Sequence, residues 1–290
     1  MAVRFLSPVA ALIVNYRTYD DLGRCLSSLD RYEPSLDIVV VDYESHPGGV
    51  AELQQRWPRV RVIPSAGNDG FAAGINRAVR EAAHATRLLV LNPDTVLEQP
   101  IVEPLEMLLD THLDVGVVGP LIRETDGRIQ PSARRFPGVS TAFGGRSSWL
   151  TRAMPGNRLT ARNLLTGTHV REPIVVDWVS GACMLLRREA FDTVHGFDER
   201  FFMYWEDADL CRRLGEAGWK TMYHPRVAVR HAAGTASRQA PTRAQFAFHR
   251  SVFRYYMKHG GWTAWLAAPL VWPALQCRLA LKLLQTHSGR

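Results

Sequence analysis

Short apolar runs alternate with segments of helical periodicity between Val9 and Val118. The apolar runs are rich in Val, Ile and Leu, which is typical of buried strands. The predicted strands are Val9–Val14, Ile38–Val41, Val60–Ile63, Leu88–Leu91 and Val115–Val118. The predicted helices between them are Asp20–Leu29, Val50–Arg56, Ala72–Ala83 and Ile101–Leu109. Strands that alternate with helices form βαβ units, so the pattern predicts an α/β fold with a mainly parallel sheet and helices on both faces.

The regular pattern fades between Arg134 and Arg171, where Gly, Pro, Ser and Arg are frequent. A segment of this kind is typical of a long surface insertion that covers a site. Regularity returns with "IVVDWVSGACMLLRREAF" and the strand-like "KTMYHPRVAVRH", and the chain becomes helical and rich in aromatic residues beyond Gln239. The pattern therefore predicts an α/β domain at residues 1–238 and a helical, basic and aromatic tail at residues 239–290.

Composition adds a preference for anionic partners. Thirty-five Lys and Arg residues against 28 Asp and Glu residues give a formal charge of +7, which favours phosphates or an acidic membrane surface without choosing between them. The four cysteines have no metal-binding or C-x-x-C spacing, which indicates reduced core thiols in a cytosolic chain. They are Cys25, Cys183, Cys211 and Cys277.

Polar side chains follow three of the predicted strands, at Asn15-Tyr16, at Asp42 and at Asn92-Pro93-Asp94. In a sheet of this class, ligands bind beyond the carboxyl ends of the strands. Asp42 is suited to accept hydrogen bonds from a ligand, although a carboxylate there also serves as a cap for the next turn.

The segment "GNDGFAAGINRAV" has glycines at 67, 70 and 74 before a predicted helix. Glycines allow the backbone to approach a ligand closely, and a helix N-terminus favours anions. The spacing is not the dinucleotide-binding fingerprint, and an ordinary turn capped by Asn68 or Asp69 would have the same composition.

Asn92 and Asp94 are two residues apart in an extended segment that Pro93 stiffens, so both side chains project to one side. A carboxylate and an amide in this arrangement suit a hard divalent cation that clamps a diphosphate, although a simple turn has the same residues. Because only one member carries charge, such a cation would keep more positive charge for its phosphates.

Three further residues carry candidate chemistry. Glu206 and Asp207 open a predicted helix after "FFMYW", and adjacent helical residues diverge by about 100°, so at most one of them points squarely into a given site. Nearby aromatic side chains exclude water and thereby suit a carboxylate to general-base work, whereas acids in a first turn also simply complement the helix dipole. His231 ends a predicted strand, where it is suited to ligate a metal or to remain an ordinary surface residue.

Taken in order, these elements resemble the family-two glycosyltransferases of GT-A fold, from about Val9 to Ser237. The matching motifs are "LIVNYRTYDDLGRCLSSL", "IVVVDYES", "NDGFAAGINRAV", "LLVLNPDT", "VDWVSGACMLLRREAFDTVHGFDERFFMYWEDADLCRRLGEAGW" and "VRHAAGTAS". The N-P-D motif and the "GFDERFFMYWEDADLCRR" block are most similar to bacterial rhamnosyltransferases that act on polyprenyl-diphosphate-linked GlcNAc during cell-wall or surface polysaccharide synthesis. The resemblance implies a Rossmann-like mixed sheet, mainly parallel, with a C-terminal helical tail.

The resemblance also implies a role for each matching residue. The residues expected to bind the nucleotide sugar are Asn15, Tyr16, Asp42, Gly70, Phe71, Gly74, Asn76 and Asn92. The expected ligands of a divalent cation, Mg²⁺ or Mn²⁺, are Asp94, Asn92 and His231. Asp207 is the expected catalytic base, while Glu206 and Trp178 are expected to face the acceptor. Relatives commonly have V-D-N-x-S where this chain has Val41-Asp42-Tyr43-Glu44-Ser45, which leaves the contacts with the base and ribose less defined.

The implied reaction is inverting transfer of a sugar, foremost L-rhamnose from dTDP-L-rhamnose, to a hydroxyl of a glycan or lipid-linked acceptor. Transfer of another sugar from a UDP or GDP donor stays open, as does a non-catalytic module that binds nucleotide sugars. A nucleotidyltransferase would need a glycine-rich, basic signature near the N-terminus, which "VNYRTYDDLG" lacks. No nucleic-acid partner is expected.

The tail contains an uncharged run, "GGWTAWLAAPLVWPALQC", followed by the basic "RLALKLLQTHSGR". Its length is near the lower limit for a spanning helix, but Pro269, Pro273 and three tryptophans favour an interfacial element. The sequence therefore predicts a protein peripheral on the cytoplasmic face of the cell membrane. Packing against the catalytic domain, a subunit contact in a homo-oligomer and a true span remain the alternatives.

Overall fold

Strands and helices alternate as the sequence pattern predicts in the computed structural model, which describes residues 8–45, 47–136, 170–232 and 241–288. The strands are β1 Val9–Tyr16, β2 Asp37–Tyr43, β3 Val60–Ser65, β4 Arg87–Leu91, β5 Thr95–Leu97, β6 Val115–Arg123, β7 Ala133–Arg134, β8 Ile174–Val176, β9 Trp178–Val179, β10 Cys183–Arg187 and β11 Lys220–His231. The helices are α1 Tyr19–Tyr32, α2 Pro47–Arg56, α3 Phe71–Glu81, α4 Val102–Thr111, α5 Arg188–Thr193, α6 Glu206–Glu216, α7 Pro241–His259 and α8 Gly261–Ser288. Most of the predicted insertion, residues 137–169, lies outside the described residues.

One large sheet organises the described part of the chain, with the strand order β3-β2-β1-β4-β10-β6-β11-β5 and with β8 paired to β11. Strands β1, β2, β3, β4, β6 and β11 run in one direction, while β5, β8 and β10 run in the other. The predicted mixed, mainly parallel sheet is therefore confirmed. Strands β7 and β9 form a separate two-stranded sheet.

The core lies on both faces of this sheet. Successive side chains of a strand point to opposite faces, and in β1 Leu12 packs in one apolar cluster while Ile13 packs in the other. Helices α3, α5 and α6 cover the first face, and α1, α2 and α4 cover the second. Burial on both faces explains why the strands are continuous apolar runs in the sequence.

Two strand pairings bring distant polar residues together. Asn15 of β1 lies opposite Asp42 of β2 in the parallel register. Strand β11 pairs antiparallel with β5, which places His231 opposite Thr95 immediately after the Asn92-Pro93-Asp94 turn. The polar strand ends predicted from the sequence therefore lie along one edge of the sheet.

Helix α7 packs against the α/β core, whereas α8 exposes many large apolar side chains. Tyr255 of α7 belongs to a core cluster, and Ser251 donates a hydrogen bond to the carbonyl oxygen of Met203 at 3.0 Å. The exposed large apolar residues of α8 are Trp262, Trp265, Leu266, Leu270, Trp272 and Leu281. Within the described residues, the segment Gly261–Leu283 is long and apolar enough to cross a membrane by length and composition alone. The predicted boundary between residues 238 and 239 lies outside the described residues.

Candidate active site

The three predicted metal ligands meet at the end of β4. His231 Nε2 lies 3.0 Å from Asp94 Oδ1 and 3.1 Å from Asn92 Nδ2. Asp94 and His231 are both buried, and Asn92 is half-buried. The antiparallel pairing of β5 with β11 causes this meeting, because it delivers the end of β11 to the turn that follows β4.

The donor chemistry of this cluster fits a divalent cation. His231 Nδ1 lies 3.0 Å from Gln130 Oε1, an acceptor that favours the proton on Nδ1. Nε2 then presents its lone pair beside the carboxylate oxygen of Asp94, and a cation between two such acceptors stabilises both. In the described ranges, no group of three His, Cys, Asp or Glu side chains is arranged to hold a metal ion; here the third predicted ligand is the amide of Asn92.

Asp42 lies at the centre of a second polar cluster, at the ends of β1 and β2. Its side chain is completely buried, Oδ1 accepts a hydrogen bond from Asn15 Nδ2 at 2.7 Å, and Oδ2 accepts one from the Tyr19 hydroxyl at 2.7 Å. Thr18 Oγ1 in turn donates to Asn15 Oδ1 at 2.7 Å. The sequence nominated Asn15 and Asp42 but missed Thr18 and Tyr19. Both oxygens of Asp42 thus already accept hydrogen bonds from the protein. A direct contact of Asp42 with a nucleotide base stays a prediction.

The neighbouring residue Tyr16 is half-buried, with the Arg17 guanidinium 5.4 Å from the centre of its ring. Tyr43, at the departure from the family motif, is buried instead. Burial raises the pKa of Tyr43 from its ordinary value of 10 to about 12. Tyr43 packs beneath α3, where an added Cβ on Gly74 would come within 3.2 Å of its ring.

Gly70 begins α3 in a conformation that requires glycine. Its φ is +98°, and a Cβ there would lie 2.3 Å from the carbonyl oxygen of Phe202. That oxygen accepts a hydrogen bond from the Phe71 amide at 2.8 Å, so the segment before α6 lies directly over the start of α3. Gly74 is small for a different reason, since a Cβ would lie 2.6 Å from Val14 Cγ2. Its size therefore allows α3 to pack on β1.

Asn76 joins α3 to the segment before α6. Its Nδ2 donates to the carbonyl oxygen of Phe197 at 2.9 Å and to Glu199 Oε1 at 3.0 Å, and its Oδ1 accepts from the Phe197 amide at 3.0 Å. Both ends of the side-chain amide thus bind protein groups. Gly74 thus serves helix packing and Asn76 serves hydrogen bonding within the protein. Their expected contacts with a nucleotide stay predictions.

Glu206 and Asp207 occupy the first turn of α6 and point in different directions, as their helical spacing predicts. Asp207 Oδ2 accepts a hydrogen bond from the Gly181 amide at 3.0 Å, and Oδ1 accepts one from the Ala208 amide at 2.8 Å. Burial raises the pKa of Asp207, although these amides and the charge of Arg134 oppose the shift. The Asp207 carboxylate is therefore a stronger base than an exposed one.

Glu206 is buried beside this carboxylate. Burial and then the charge of Asp207 raise the pKa of Glu206 well above its usual range. Its Oε2 is buried without a hydrogen-bond partner among the described residues. Glu206 is therefore the member of the pair that holds a proton most readily.

The loop Ser180-Gly181-Ala182 between β9 and β10 connects the two halves of the site. The Ala182 carbonyl oxygen accepts hydrogen bonds from the Asn92 amide at 3.1 Å and from Thr95 Oγ1 at 2.9 Å. The adjacent Gly181 amide holds Asp207. A single short loop thus touches both the metal-ligand turn and the carboxylate. The sequence contained this loop inside a matching motif, but its backbone groups gave no signal of their role.

Trp178 is buried on β9, next to the same loop. Its indole Nε1 donates to the carbonyl oxygen of Arg135 at 3.0 Å, and the Arg134 guanidinium lies 5.0 Å from its ring. Arg134, which the sequence did not single out, also acts electrostatically on Asp207. The expected contact of Trp178 with an acceptor stays a prediction.

Comparisons with known proteins agree with this geometry. The family model described as "Glycosyltransferase like family 2" matches residues 7–258. The N-acetylglucosaminyl-diphospho-decaprenol L-rhamnosyltransferase of Mycobacterium tuberculosis (strain ATCC 25618 / H37Rv) is 34% identical over 287 residues, which are 95% of this chain and 91% of that protein. The rhamnosyltransferase WbbL of Escherichia coli (strain K12) is 28% identical over 255 residues, which are 85% of this chain and 92% of WbbL.

Two solved GT-A structures share the fold. The mannosyltransferase PcManGT from Pyrobaculum calidifontis, in complex with GDP-Man and Mn²⁺, has a TM-score of 0.58 and 15% identity, and covers 99% of this chain and 81% of its own. GalNAc-T7 with UDP, GalNAc and Mn²⁺ has a TM-score of 0.60 and 17% identity, and covers 79% of this chain and 44% of its own. At these identities the likeness concerns the fold.

Proposed function

The chain belongs to glycosyltransferase family 2, and from this premise we propose that it transfers L-rhamnose from dTDP-L-rhamnose to a hydroxyl of a polyprenyl-diphosphate-linked GlcNAc. The full-length similarity to the mycobacterial rhamnosyltransferase supports both the sugar and the lipid-linked acceptor. The similarity to WbbL, a second rhamnosyltransferase, supports the sugar independently. The reaction would serve the synthesis of cell-wall or surface polysaccharide.

The main structural support for a transferase is that the loop Ser180-Gly181-Ala182 contacts both halves of the site. Ala182 binds the turn that bears Asn92 and Asp94, and Gly181 binds Asp207. A transferase needs groups for the departing diphosphate close to a base for the attacking hydroxyl, because both act on the same anomeric carbon. A module that only binds nucleotide sugars has no need of the second group.

Asp94, Asn92 and His231 would hold a divalent cation, and the Mn²⁺ named with both solved GT-A structures supports this assignment. When bound, the cation supplies positive charge that stabilises the departing nucleoside diphosphate. The residues around it hold the predicted ligands in place. Gln130 orients the imidazole of His231, and Ala182 fixes the backbone of Asn92.

Asp207 would accept the proton of the acceptor hydroxyl. Its raised pKa brings the carboxylate closer to the range in which a base works efficiently near neutral pH. The Gly181 amide orients the carboxylate, and the neighbouring Glu206 holds its own proton more firmly, so Asp207 is the one of the two that is available as a base. Attack from the face opposite the diphosphate would invert the configuration of the anomeric carbon.

The exposed apolar face of α8 supports a position on the cytoplasmic face of the cell membrane, where a lipid-linked acceptor is found. Trp262 and Trp265 are 74% and 70% exposed, and Arg278 and Lys282 follow later in the same helix. Tryptophan is favoured at the membrane interface, and basic residues are attracted to anionic lipids. We therefore assign α8 as the membrane-binding helix.

The decisive experiment is to incubate the protein with Mn²⁺ or Mg²⁺, a panel of sugar nucleotides and a short-chain polyprenyl-diphosphate GlcNAc. We expect rhamnosylated product from dTDP-L-rhamnose and an inverted anomeric configuration by NMR. Use of UDP-sugars with rejection of dTDP-L-rhamnose would contradict the donor assignment. Donor binding without turnover on any acceptor would instead indicate a binding module.

Asp207→Asn tests the base in the same assay. We expect turnover to fall by about a hundredfold or more while donor binding, measured by calorimetry, is retained. The matched control is Asp30→Asn, which removes an exposed carboxylate paired with Arg59 and should keep normal turnover. Unchanged turnover in Asp207→Asn would remove Asp207 from this role.

A further inference from the structure

The backbone that leads into α6 is strained immediately before Glu206. Tyr204 and Trp205 have φ values of 69° and 71°, so two consecutive residues with large side chains occupy the left-handed region. Such conformations are costly for any residue except glycine and persist only where the surrounding structure holds them. The direction in which the Asp207 side chain projects from α6 depends on the backbone conformation of these two residues, which we call the entry of α6.

Helix α7 supplies the contacts that hold the strained entry. The Tyr204 ring lies edge-on to Phe248 with 5.7 Å between the ring centres, and the Trp205 ring lies 5.2 Å from that of Tyr255. Ser251 Oγ donates to the Met203 carbonyl oxygen at 3.0 Å, directly before the strained pair. Three residues on α7 thus contact three consecutive residues ahead of α6.

The C-terminal end of α7 also holds the far side of α6 through a buried ion-pair network. Asp209 is completely buried, and its Oδ1 lies 2.7 Å from Lys258 Nζ and 2.7 Å from His259 Nε2. Its Oδ2 lies 2.8 Å from Arg213 Nε within α6. Lys258 Nζ also reaches Asp198 Oδ2 at 2.7 Å, which ties the "GFDERF" segment to the same network.

Asp207 and Asp209 are two positions apart and therefore point to opposite sides of α6. Asp207 faces Gly181 and Asp209 faces α7, so α6 is fixed on both sides. A helix released on the α7 side would turn or shift, and the Asp207 carboxylate would leave the Gly181 amide. The predicted metal ligands, in the turn after β4 and at the end of β11, have no part in these contacts.

We propose that α7 positions the catalytic carboxylate of Asp207, with Ser251, Lys258 and His259 as positioning residues that act through the entry and the far side of α6. The inference rests on the proposed function, because it takes Asp207 as the base. It extends that function by assigning a role in the reaction to a helix outside the α/β sheet core.

The test compares Lys258→Met and Ser251→Ala with the wild type. We expect kcat to fall by about tenfold to a hundredfold, as a small misplacement of a catalytic group causes, while the affinity for the donor stays within about threefold. Lys258→Arg, which keeps the charge, should recover most of the lost kcat. Lys220→Met is the matched control, because it removes a lysine from an exposed ion pair with Asp114 and should keep normal kcat.

The pH profile separates positioning from a general loss of stability. The charged groups that act on Asp207 include its neighbour Glu206 in α6 and Arg134 on β7, and burial is the largest cause that raises its pKa. When α6 shifts, Asp207 loses part of the burial that raises its pKa and the Gly181 hydrogen bond that lowers it. The acid limb of the kcat profile should therefore move in Lys258→Met and Ser251→Ala, whereas a smaller folded fraction would lower kcat without moving that limb.

Hydrogen exchange provides a readout that does not depend on the sugar or the acceptor. In Lys258→Met and Ser251→Ala, the amides of α6 should exchange faster while those of β1 and β4 keep their wild-type rates. Unchanged α6 exchange together with unchanged kcat would overturn the proposal. If the wild type transferred no sugar from the panel, the proposed function would fail, and the exchange rates of α6 would decide the structural role of α7 alone.

Discussion

At the scale of single residues, Asp94 is the charged member of the predicted metal-ligand set and Asn92 the neutral one. Their shared neighbour is His231 Nε2, which lies 3.0 Å from the Asp94 carboxylate and 3.1 Å from the Asn92 amide. A cation held by this set would depend most on the carboxylate, because it alone neutralises charge. The two positions are therefore expected to respond differently to substitution.

We predict that Asp94→Asn weakens Mn²⁺-dependent binding of dTDP by about tenfold or more, whereas Asn92→Asp stays within a few fold of the wild type. Calorimetric titration of dTDP in the presence of Mn²⁺ measures both. With EDTA in place of Mn²⁺, the three proteins should bind dTDP equally weakly. Equal affinities in the presence of Mn²⁺ would argue against Asp94 as a metal ligand.

Gly70 and Gly67 lie in the same loop but differ in what a side chain would meet. At Gly70, φ is +98° and an added Cβ would lie 2.3 Å from the Phe202 carbonyl oxygen, while at Gly67 no described heavy atom lies within 4 Å. Gly70→Ala should therefore lower the free energy of unfolding by more than about 1 kcal/mol, and Gly67→Ala should leave it unchanged or raise it slightly. Urea denaturation compares the two variants, and equal stabilities would contradict the steric argument.

Site residues at strand ends could be predicted from the sequence, because the end of an apolar run shows where the polar residues that follow the strand lie. Asn92, Asp94 and His231 do meet, as that reasoning expects. Tyr19 could not be found in this way, because it begins a helix and reaches Asp42 only through its hydroxyl. Gly181 was missed because a backbone amide contributes the same donor whatever the residue type.

At the scale of elements, the buried carboxylate of Asp209 stabilises the contact between α6 and α7. Burial alone would raise the pKa of Asp209, but the hydrogen bond from His259 and the positive charges of Arg213 and Lys258 outweigh it, so the pKa lies below the usual value. A carboxylate with a lowered pKa in the folded state stabilises the protein above its unfolded pKa and loses that effect as the pH falls.

We therefore predict that Asp209→Asn lowers the free energy of unfolding by about 3 kcal/mol at neutral pH, since it leaves buried cations without their partner. The difference from the wild type should narrow once the pH falls below the ordinary Asp value of 3.8. Urea denaturation at a series of pH values measures it. The exposed Asp30→Asn variant should differ from the wild type by less than about 1 kcal/mol, and a pH-independent gap for Asp209→Asn would contradict the electrostatic origin.

The predicted helices and strands were recovered where periodicity was long and uninterrupted. Strand β11 was predicted with its observed ends, Lys220 and His231, whereas β5 was missed because its three residues are too short to show a period. The start of helix α3 was predicted at Ala72, one residue after its observed start at Phe71. The residue before the helix, Gly70, has a positive φ and no side chain that could cap the helix, so the sequence carries no capping signal there. Contacts between elements, such as α7 on α6, depend on tertiary packing that no local pattern encodes.

At the scale of the whole molecule, the exposed face of α8 and the basic balance of the chain favour a membrane surface. We predict that replacing both Trp262 and Trp265 by Ser weakens binding to vesicles containing phosphatidylglycerol by about tenfold or more, since each indole would leave an apolar environment. Vesicle sedimentation measures the effect, and binding of the wild type should fall as salt is added.

Leu113→Ser is the matched control, because Leu113 is 75% exposed but lies between α4 and β6, away from the tail. It should leave vesicle binding unchanged. Full binding by the double tryptophan variant would instead indicate that α8 faces protein. The sequence predicted the composition of this helix but could not say which of its side chains the α/β domain leaves uncovered.

The sheet topology determines when the site can exist during synthesis of the chain. Asn92 and His231 are 139 residues apart, and β11 must leave the ribosome before it can pair with β5. Nascent chains that end before β11 therefore carry the glycine-rich loop before α3 and the N-P-D turn but lack His231, the third predicted metal ligand. We therefore expect the protein to acquire its affinity for a divalent cation only after β11 has been synthesised and has paired with β5.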